Sequence, residues 1–515
     1  MNTINDLSQL SQEALAQFRK SLAKSNQRQG DPRIAAEITK SAGISQASGL
    51  VWYDLQAPAK NLFPVLTPLR NRIPRVPGNG GTATNWISVT AINSASLRGF
   101  VPEGKRNGLV TTVAAPVSAS YKALGLEDSV TFEAELAAEN FENVRATTGQ
   151  RLLWATMIEE EISDLGANYD AIALGVPVLG TPVADANGGT IPAAAHYYMN
   201  VYALTMHGWL ASTVASIPDN VSVTPADGGS AFTYGAGVSR VSNQADITTL
   251  TPADTWGVHA TCTQIPGAMA YAWFLGTSTS NGKCQAITLI NSVKLTSYVT
   301  SGRQALLTGS TDYSKNGYAY NGLLSQAFAS GSGAYTKVMA DGTAGTGTGL
   351  TSDGGVGIVE IDEMLQNRWD NYRLGVDAIY VNSQEAKNIT KKVMGNGGTY
   401  NVMQTLVQNG PQQGNITAGA GVFTYFNKYA KSGKQNVPIE IHPNMPPGTL
   451  MGVTWDLPYP INGVPNIVEK KLRRDYYQME WPLRTRQYES GVYFDGVLAV
   501  YFTPALSVIT NIGNA

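Results

Sequence analysis

The sequence predicts an α+β fold: strand-rich segments early and late in the chain, one long helix between them, and an all-β sandwich in the middle. Three observations carry this expectation. The segment Val437 to Thr449, VPIEIHPNMPPGT, alternates at Val437, Ile439 and Ile441 like a half-buried strand, then stops at Pro446-Pro447-Gly448, which cannot continue a ladder. From Phe132 to Leu165, the residues Val144, Trp154, Ile158, Ile162 and Leu165 recur at helical spacing. Between about Ile191 and Tyr313, short apolar runs separated by Gly, Pro, Asn, Asp and Ser recur at the spacing of a sandwich.

At 515 residues the chain has room for about two or three domains. Only 14% of residues are charged, against roughly 25% in ordinary globular proteins, and the 53 glycines exceed the usual share. Such a chain covers its polar backbone with neighbours instead of charges, which suits a protein buried in an assembly. The formal net charge of −2 implies no general affinity for nucleic acid.

Leu7, Leu10, Leu15, Phe18 and Leu22 place an amphipathic helix within residues 1–30, packed on its own domain or on a neighbouring subunit. Met1 to Asp6 has no basic n-region and no apolar stretch follows it, so no signal peptide is expected. Residues 26–46 are polar and loop-like. From Trp52 to Val76 prolines fall every few residues, which predicts an extended arm without helix. NWISVTAI, from Asn85, and LVTTVAAPVSASYKAL, from Leu109, read as a strand and its return. The connection Ser96 to Gly108 between them is rich in glycine and charge.

In the long helix, Glu159-Glu160-Glu161 is expected to face solvent, because consecutive helix positions point in different directions and make no shared site. Within the sandwich, YYMNVYALT, WGVHATCT, AMAYAWFLG and CQAITLINSVKL are the clearest strands. Trp256, Tyr271 and Trp273 there are expected in the core instead of on a sugar-binding face. Cys262 and Cys284 read as two buried thiols. Residues Ala186 to Pro218 lack charge but are too polar for a bilayer helix. Ala344 to Gly357 reads as a glycine-rich linker, since no GK[ST] accompanies its glycines. After it come a helix over Ile358 to Tyr372, a strand over Val376 to Val381, and a helix opened by Asn382-Ser383-Gln384-Glu385 as a capping box. The run Gly491 to Leu506 reads as one buried strand.

No catalytic motif is present. His196, His207, His259 and His442 are not at metal-ligand spacing, no G-x-S-x-G elbow occurs, and Glu360 with Asp362 is an isolated carboxylate pair. No cofactor is implied.

The strand, the Met445-Pro446-Pro447-Gly448 turn, and a final strand ending in Pro504-Ala505 resemble the closing segment of the major capsid proteins of tailed bacteriophages. The order of arm, charged loop and long helix resembles the same family, over roughly Trp52 to Leu165 and Ile358 to Ile509. The resemblance implies an HK97-like capsid subunit with an inserted immunoglobulin-like or fibronectin-like sandwich. Its parts would be an N-terminal arm (1–60), peripheral-domain strands with an extended loop tipped at about 96–108 (61–131), and a spine helix with its connection (132–175). The insert (190–313), an axial domain (345–436) and a return to the peripheral domain (437–515) would follow.

The function so implied is structural: self-assembly of hexamers and pentamers into an icosahedral shell around phage double-stranded DNA, in the virion and formed in the bacterial cytoplasm. A separate scaffold, a portal or a decoration protein would be its other partners, with no membrane. Leu15, Phe18, Trp52, Tyr53, Arg98, Glu103, Lys105, Arg106, Lys470, Lys471, Arg473, Arg474, Glu480 and Arg484 are the expected inter-subunit contacts. Some relatives crosslink a loop lysine to a neighbour's asparagine; Lys105 or Lys122 would be the local lysine here. The alternatives are an encapsulin-like nanocompartment shell and a secreted β-rich adhesin or carbohydrate-binding protein.

Overall fold

The computed structural model describes residues 64–514 except 79, 93–97, 140–141, 195, 249–255, 308, 310, 356, 394–420, 431–433 and 460–462. The N-terminal helix, and with it Leu15, Phe18, Trp52 and Tyr53, lies outside the described residues. Pro64–Ala137 and Asn143–Ala515 form one compact unit, described here by itself.

The unit opens with helix α1 (Pro68–Arg72), strand β1 (Arg75–Pro77), a hairpin of β2 (Ala83–Ile92) and β3 (Thr112–Ser120), and β4 (Lys122–Thr131). The helix corrects the expectation of an extended arm. Pro68 stands in its first turn, where a missing N–H costs nothing and the fixed φ is already helical. Two helices, α2 (Phe132–Ala137) and α3 (Val144–Gly166), replace the single one expected from Phe132 to Leu165. Asn143 restarts the helix as an N-cap, its side chain accepting from the Ala146 amide.

The central region contains β5 (Val183–Ile191), β6 (His196–Leu204), α4 (Met206–Ala211), β7 (Asn220–Val223), β8 (Phe232–Gly235), β9 (Ala245–Thr248), β10 (Trp256–Thr261), β11 (Ala270–Gly276), β12 (Lys283–Thr288) and β13 (Ser292–Leu295). Two antiparallel sheets, ordered β13-β10-β5 and β12-β11-β6-β9, meet in one apolar cluster. Met199, Val201, Tyr271, Trp273 and Leu275 from one sheet pack with Val258, Ala260, Val293 and Leu295 from the other. The alternate residues Tyr202, Leu204, Ala272 and Phe274 fill a second cluster with Ile217 and Val238. β11 is therefore buried on both faces, which is why AYAWFLG is apolar throughout instead of alternating. Tyr271 and Trp273 are core residues; Trp256 is half-buried beside them. Cys262 and Cys284 are buried and unbridged.

The chain continues through α5 (Leu323–Phe328), β14 (Tyr335–Val338), α6 (Val359–Tyr372), β15 (Ala378–Val381), α7 (Ser383–Val393), β16 (Thr424–Phe426), β17 (Asn436–Ile441), β18 (Leu450–Val453), β19 (Val468–Glu480), β20 (Gln487–Val500) and β21 (Leu506–Thr510). A mixed six-stranded sheet, β14-β21-β18-β15-β17-β16, is covered by Ile361, Met364 and Leu365 of α6 and Ile389 of α7. A second sheet, β1-β19-β20-β4, packs against α3.

Four expectations change here. The boundary expected at 437 falls inside one sheet, because β17 and β18 flank β15 and β21 pairs with β18. The strand expected from Gly491 to Leu506 ends at Val500. A turn of 3-10 helix over Thr503–Ala505, with Pro504 in it, then redirects the chain into the other sheet. The glycine-rich segment is folded and is no free linker. Gly342, Gly345 and Gly347 have positive φ, the Gly345 amide donates to Ser292 Oγ, and Gly513 donates to the Thr348 carbonyl. At the double-proline turn, Thr449 donates to the Pro446 carbonyl and Gly448 adopts φ +78°, a conformation that favours glycine. The capping box forms only in part. Asn382 caps the Gln384 amide, but Glu385 is buried and accepts from Gly448 and Asn388 instead of reaching back.

Candidate interaction surface and the ionic cluster beneath it

The β2–β3 ribbon is a two-stranded sheet of its own, and its strands contain no charged residue. Pairing sets Ile87 opposite Pro116 and Val89 opposite Ala114 on one face, with Trp86 opposite Val117 and Ser88 opposite Ala115 on the other. The second face lies over the body: Trp86 meets Tyr501 edge-on at 5.3 Å, and Trp86, Ser88, Lys122 and Tyr169 line a cleft of about 530 Å³. The first face points to solvent. Ile87 and Ile92 are each 73% exposed, and beyond the strands Leu109 is 86% and Phe100 93% exposed.

Arg98, Glu103, Lys105 and Arg106 sit together on the loop joining the strands, all exposed, where a turn at Gly104 lets the Lys105 amide donate to the Pro102 carbonyl. Lys122 is away from this tip. It donates to the Gly317 carbonyl and lies 4.0 Å from the centre of the Tyr169 ring.

The basic run on β19 divides in a way the sequence does not announce. Lys470 is buried, 1% exposed at its side chain, with its ammonium 2.5 Å from Asp164 Oδ1. It is thus an internal residue, and the expectation of an inter-subunit contact is corrected. Lys471 pairs with Glu469 at 2.9 Å, and Arg473 Nε is 2.7 Å from Asp495 Oδ2, both within the chain. Arg474 lies over the Tyr477 ring at 4.2 Å. Glu480 faces Arg145 at 3.5 Å, and Arg484 donates to the Asp227 carbonyl.

The acidic partners of Lys470 come from α3, and here the expected solvated face is overturned. Glu160 and Glu161 are fully buried, as is Asp164 one turn on, whereas Trp154 and Ile158 of the expected apolar stripe are only half-buried. The helix turns its acidic edge inward because cations from other elements await it. Glu160 lies 2.7 Å from Arg75, 3.2 Å from Arg70 and 3.5 Å from Lys470, and accepts from Tyr476. Burial pushes its carboxyl up, but Lys470 and Arg75 outweigh that and hold it below the ordinary range. Glu161 accepts from the amides of Leu69 and Arg70 in α1 and lies 2.6 Å from His442 Nε2. Asp164 is buried completely, which pushes it up to about 6 despite Lys470. Tyr320 donates to Asp164 Oδ1 at 2.7 Å. No charge pattern along one segment announces these pairings. The one sequence signal is the i, i+4 spacing of Glu160 and Asp164 beside Leu165.

Glu360 and Asp362 take separate partners. Glu360 accepts from the Thr351 amide, and Asp362 from Tyr425 and Lys428. Among the described residues no three His, Cys, Asp or Glu side chains are grouped to hold a metal ion, and no helix is long and apolar enough to cross a membrane.

No protein-family model and no curated protein matches the chain. Among solved structures, it is similar to the capsid of Myoviridae phage XM1 at 10% identity and a TM-score of 0.39, covering 92% of this chain and 100% of that one. The capsid of a native GTA particle gives 8% identity, the same coverage and a TM-score of 0.39. Gordonia phage Cozz gives 9% identity and a TM-score of 0.38, over 91% of this chain and 95% of that one. At these identities and scores the likenesses assign no residue a role.

Proposed function

We propose that this chain is a structural subunit, a tailed-phage major capsid protein that assembles with copies of itself into a closed shell around double-stranded DNA. The observation that carries the reading is the β2–β3 ribbon: two uncharged strands that pair with no third strand among the described residues, an apolar face turned to solvent, and a charged loop at the end. A two-stranded ribbon is marginal by itself in water, and exposed apolar faces and strand edges invite pairing. A second copy of the chain covers it, as the extended loop of such a subunit would. Arg98, Glu103, Lys105, Arg106 and Arg474 would contribute polar contacts at the edges of interfaces of about 1,600 Å² or more. Hexamers and pentamers are the expected capsomers, and a scaffold, portal or decoration protein the further partners. With a near-neutral chain, DNA is enclosed without sequence-specific binding. The two-sheet region is proposed as an insert in this subunit.

Negative-stain electron microscopy of the purified protein, beside a sedimentation profile, tests the reading. Closed shells or ring-shaped capsomers are expected. A monodisperse monomer at high concentration would sink it.

A further inference from the structure

We propose that Lys470 and Asp164 form an intramolecular isopeptide bond, closed by the subunit itself with Glu160 as proton carrier and Tyr320 as hydrogen-bond donor. The inference rests on this side-chain constellation and is independent of the assembly reading. An amine, a carboxyl, a second carboxylate and a phenol converge in one water-excluded place. Lys470 Nζ is 2.5 Å from Asp164 Oδ1, one bond from the carbon it would attack, and 3.5 Å from Glu160 Oε1. Tyr320 donates to the same Asp164 oxygen at 2.7 Å, where negative charge would develop on attack. Lys470, Asp164, Glu160 and Tyr320 are all buried, and Lys470 Nζ sits 3.8 Å from the centre of the Tyr320 ring and 5.0 Å from that of Phe494.

The two carboxyls are placed for different roles. Complete burial pushes Asp164 up to about 6, favouring the protonated form that an amine can attack. Glu160, facing Arg70 and Arg75 as well as Lys470, is held ionised and can take a proton. The step balances without any added reagent. A proton passes from the Lys470 ammonium to the Asp164 carboxylate, whose own affinity for a proton is raised by burial. The neutral amine attacks Cγ, forming the N–C bond. Glu160 takes a proton from the attacking nitrogen and returns it to the departing hydroxyl, which leaves as water. An amide replaces two buried charges, and holding the groups in contact removes the entropy cost of bringing them together. The product ties α3 to β19 across 306 residues of sequence.

Intact-mass measurement of the full chain under denaturing conditions, with a tryptic map, decides the matter. The expected mass is lower than that of the linear sequence by one water. Cleavage after Lys470 should be blocked, and the peptide containing it joined to the one containing Asp164. Lys470→Arg should restore the linear mass, a readout that does not depend on how well the variant folds. An unshifted mass in the folded wild-type protein would overturn the proposal and leave a buried ion pair. A water loss mapping to any other residue would overturn it too.

Discussion

His442, in the turn that follows β17, lies 2.6 Å from Glu161 near the C-terminal end of α3, and both side chains are excluded from solvent. The Asn444 amide donates to His442 Nδ1, so Nε2 carries the proton directed at Glu161. The Leu69 amide donates to the same Glu161 oxygen, Oε1, and the Arg70 amide to Oε2, both at the start of α1. One carboxylate thus fixes the entry of the chain, the long helix and the six-stranded sheet to one another.

Glu161→Ala removes that acceptor and strands two amides and an imidazole. A loss of roughly 3–5 kcal/mol of stability is expected, by analogy with breaking a buried pair from one side. Urea unfolding of the variant against wild type measures it; a loss well under 1 kcal/mol would mean that water replaces the carboxylate.

Acid should weaken the subunit through His207. It is half-buried overall, its Nε2 is shielded from solvent without a hydrogen-bond partner, and desolvation pushes its pKa below the ordinary 6.5. As the pH falls below 6.5 the unfolded chain takes up the proton first, so stability is full above that value and declines beneath it. Glu160, held below its ordinary 4.5, adds a decline of the same sign at lower pH. Asp164, raised to about 6 while unlinked, works in the opposite sense as the pH falls through that value. The difference between wild type and His207→Gln isolates the histidine: the two stability curves should run parallel above pH 6.5 and converge below it.

Neither cysteine should react in the native state. Burial pushes Cys262 well above the ordinary thiol value and Cys284 up to about 12, so little thiolate is present at neutral pH. Thiol labelling should be negligible in native buffer and reach both residues after denaturation. Rapid native labelling at Cys284 would show that the layer over Phe274 opens.

Adjacent arginines should behave differently. Arg473→Glu sets a carboxylate against Asp495, which is largely buried, and should cost the subunit roughly 2 kcal/mol. Arg474→Glu disturbs only a contact over Tyr477 and should leave unfolding unchanged while reducing assembly. Equal effects of the two on thermal unfolding would contradict the placement of their side chains.

Much of the fold is legible where a residue's neighbours along the chain decide its environment. β2 and β3, α6, β15 and the turn at Gly448 follow from periodicity and turn chemistry, and GAMAYAWFLG reads as core because both its faces are apolar. Legibility fails where distant segments decide. Glu160, Glu161 and Asp164 look like a solvated edge until Arg70, Arg75, Lys470 and His442 arrive from elsewhere in the sequence. Pro504 looks like the end of one strand because periodicity cannot tell which sheet the next strand joins. The loop charges were legible as exposed. The apolar outer face at Ile87 and Val89 was not, since alternation alone does not say which face the body covers.

The central claim is that the outer face of the β2–β3 ribbon is covered by another copy of the chain. Sedimentation velocity of wild type beside the double variant Ile87→Lys and Val89→Lys tests it most directly. Large closed assemblies or capsomers are expected from wild type, and folded monomers with an unchanged unfolding midpoint from the variant. Assemblies of the same size and yield from both proteins would contradict it.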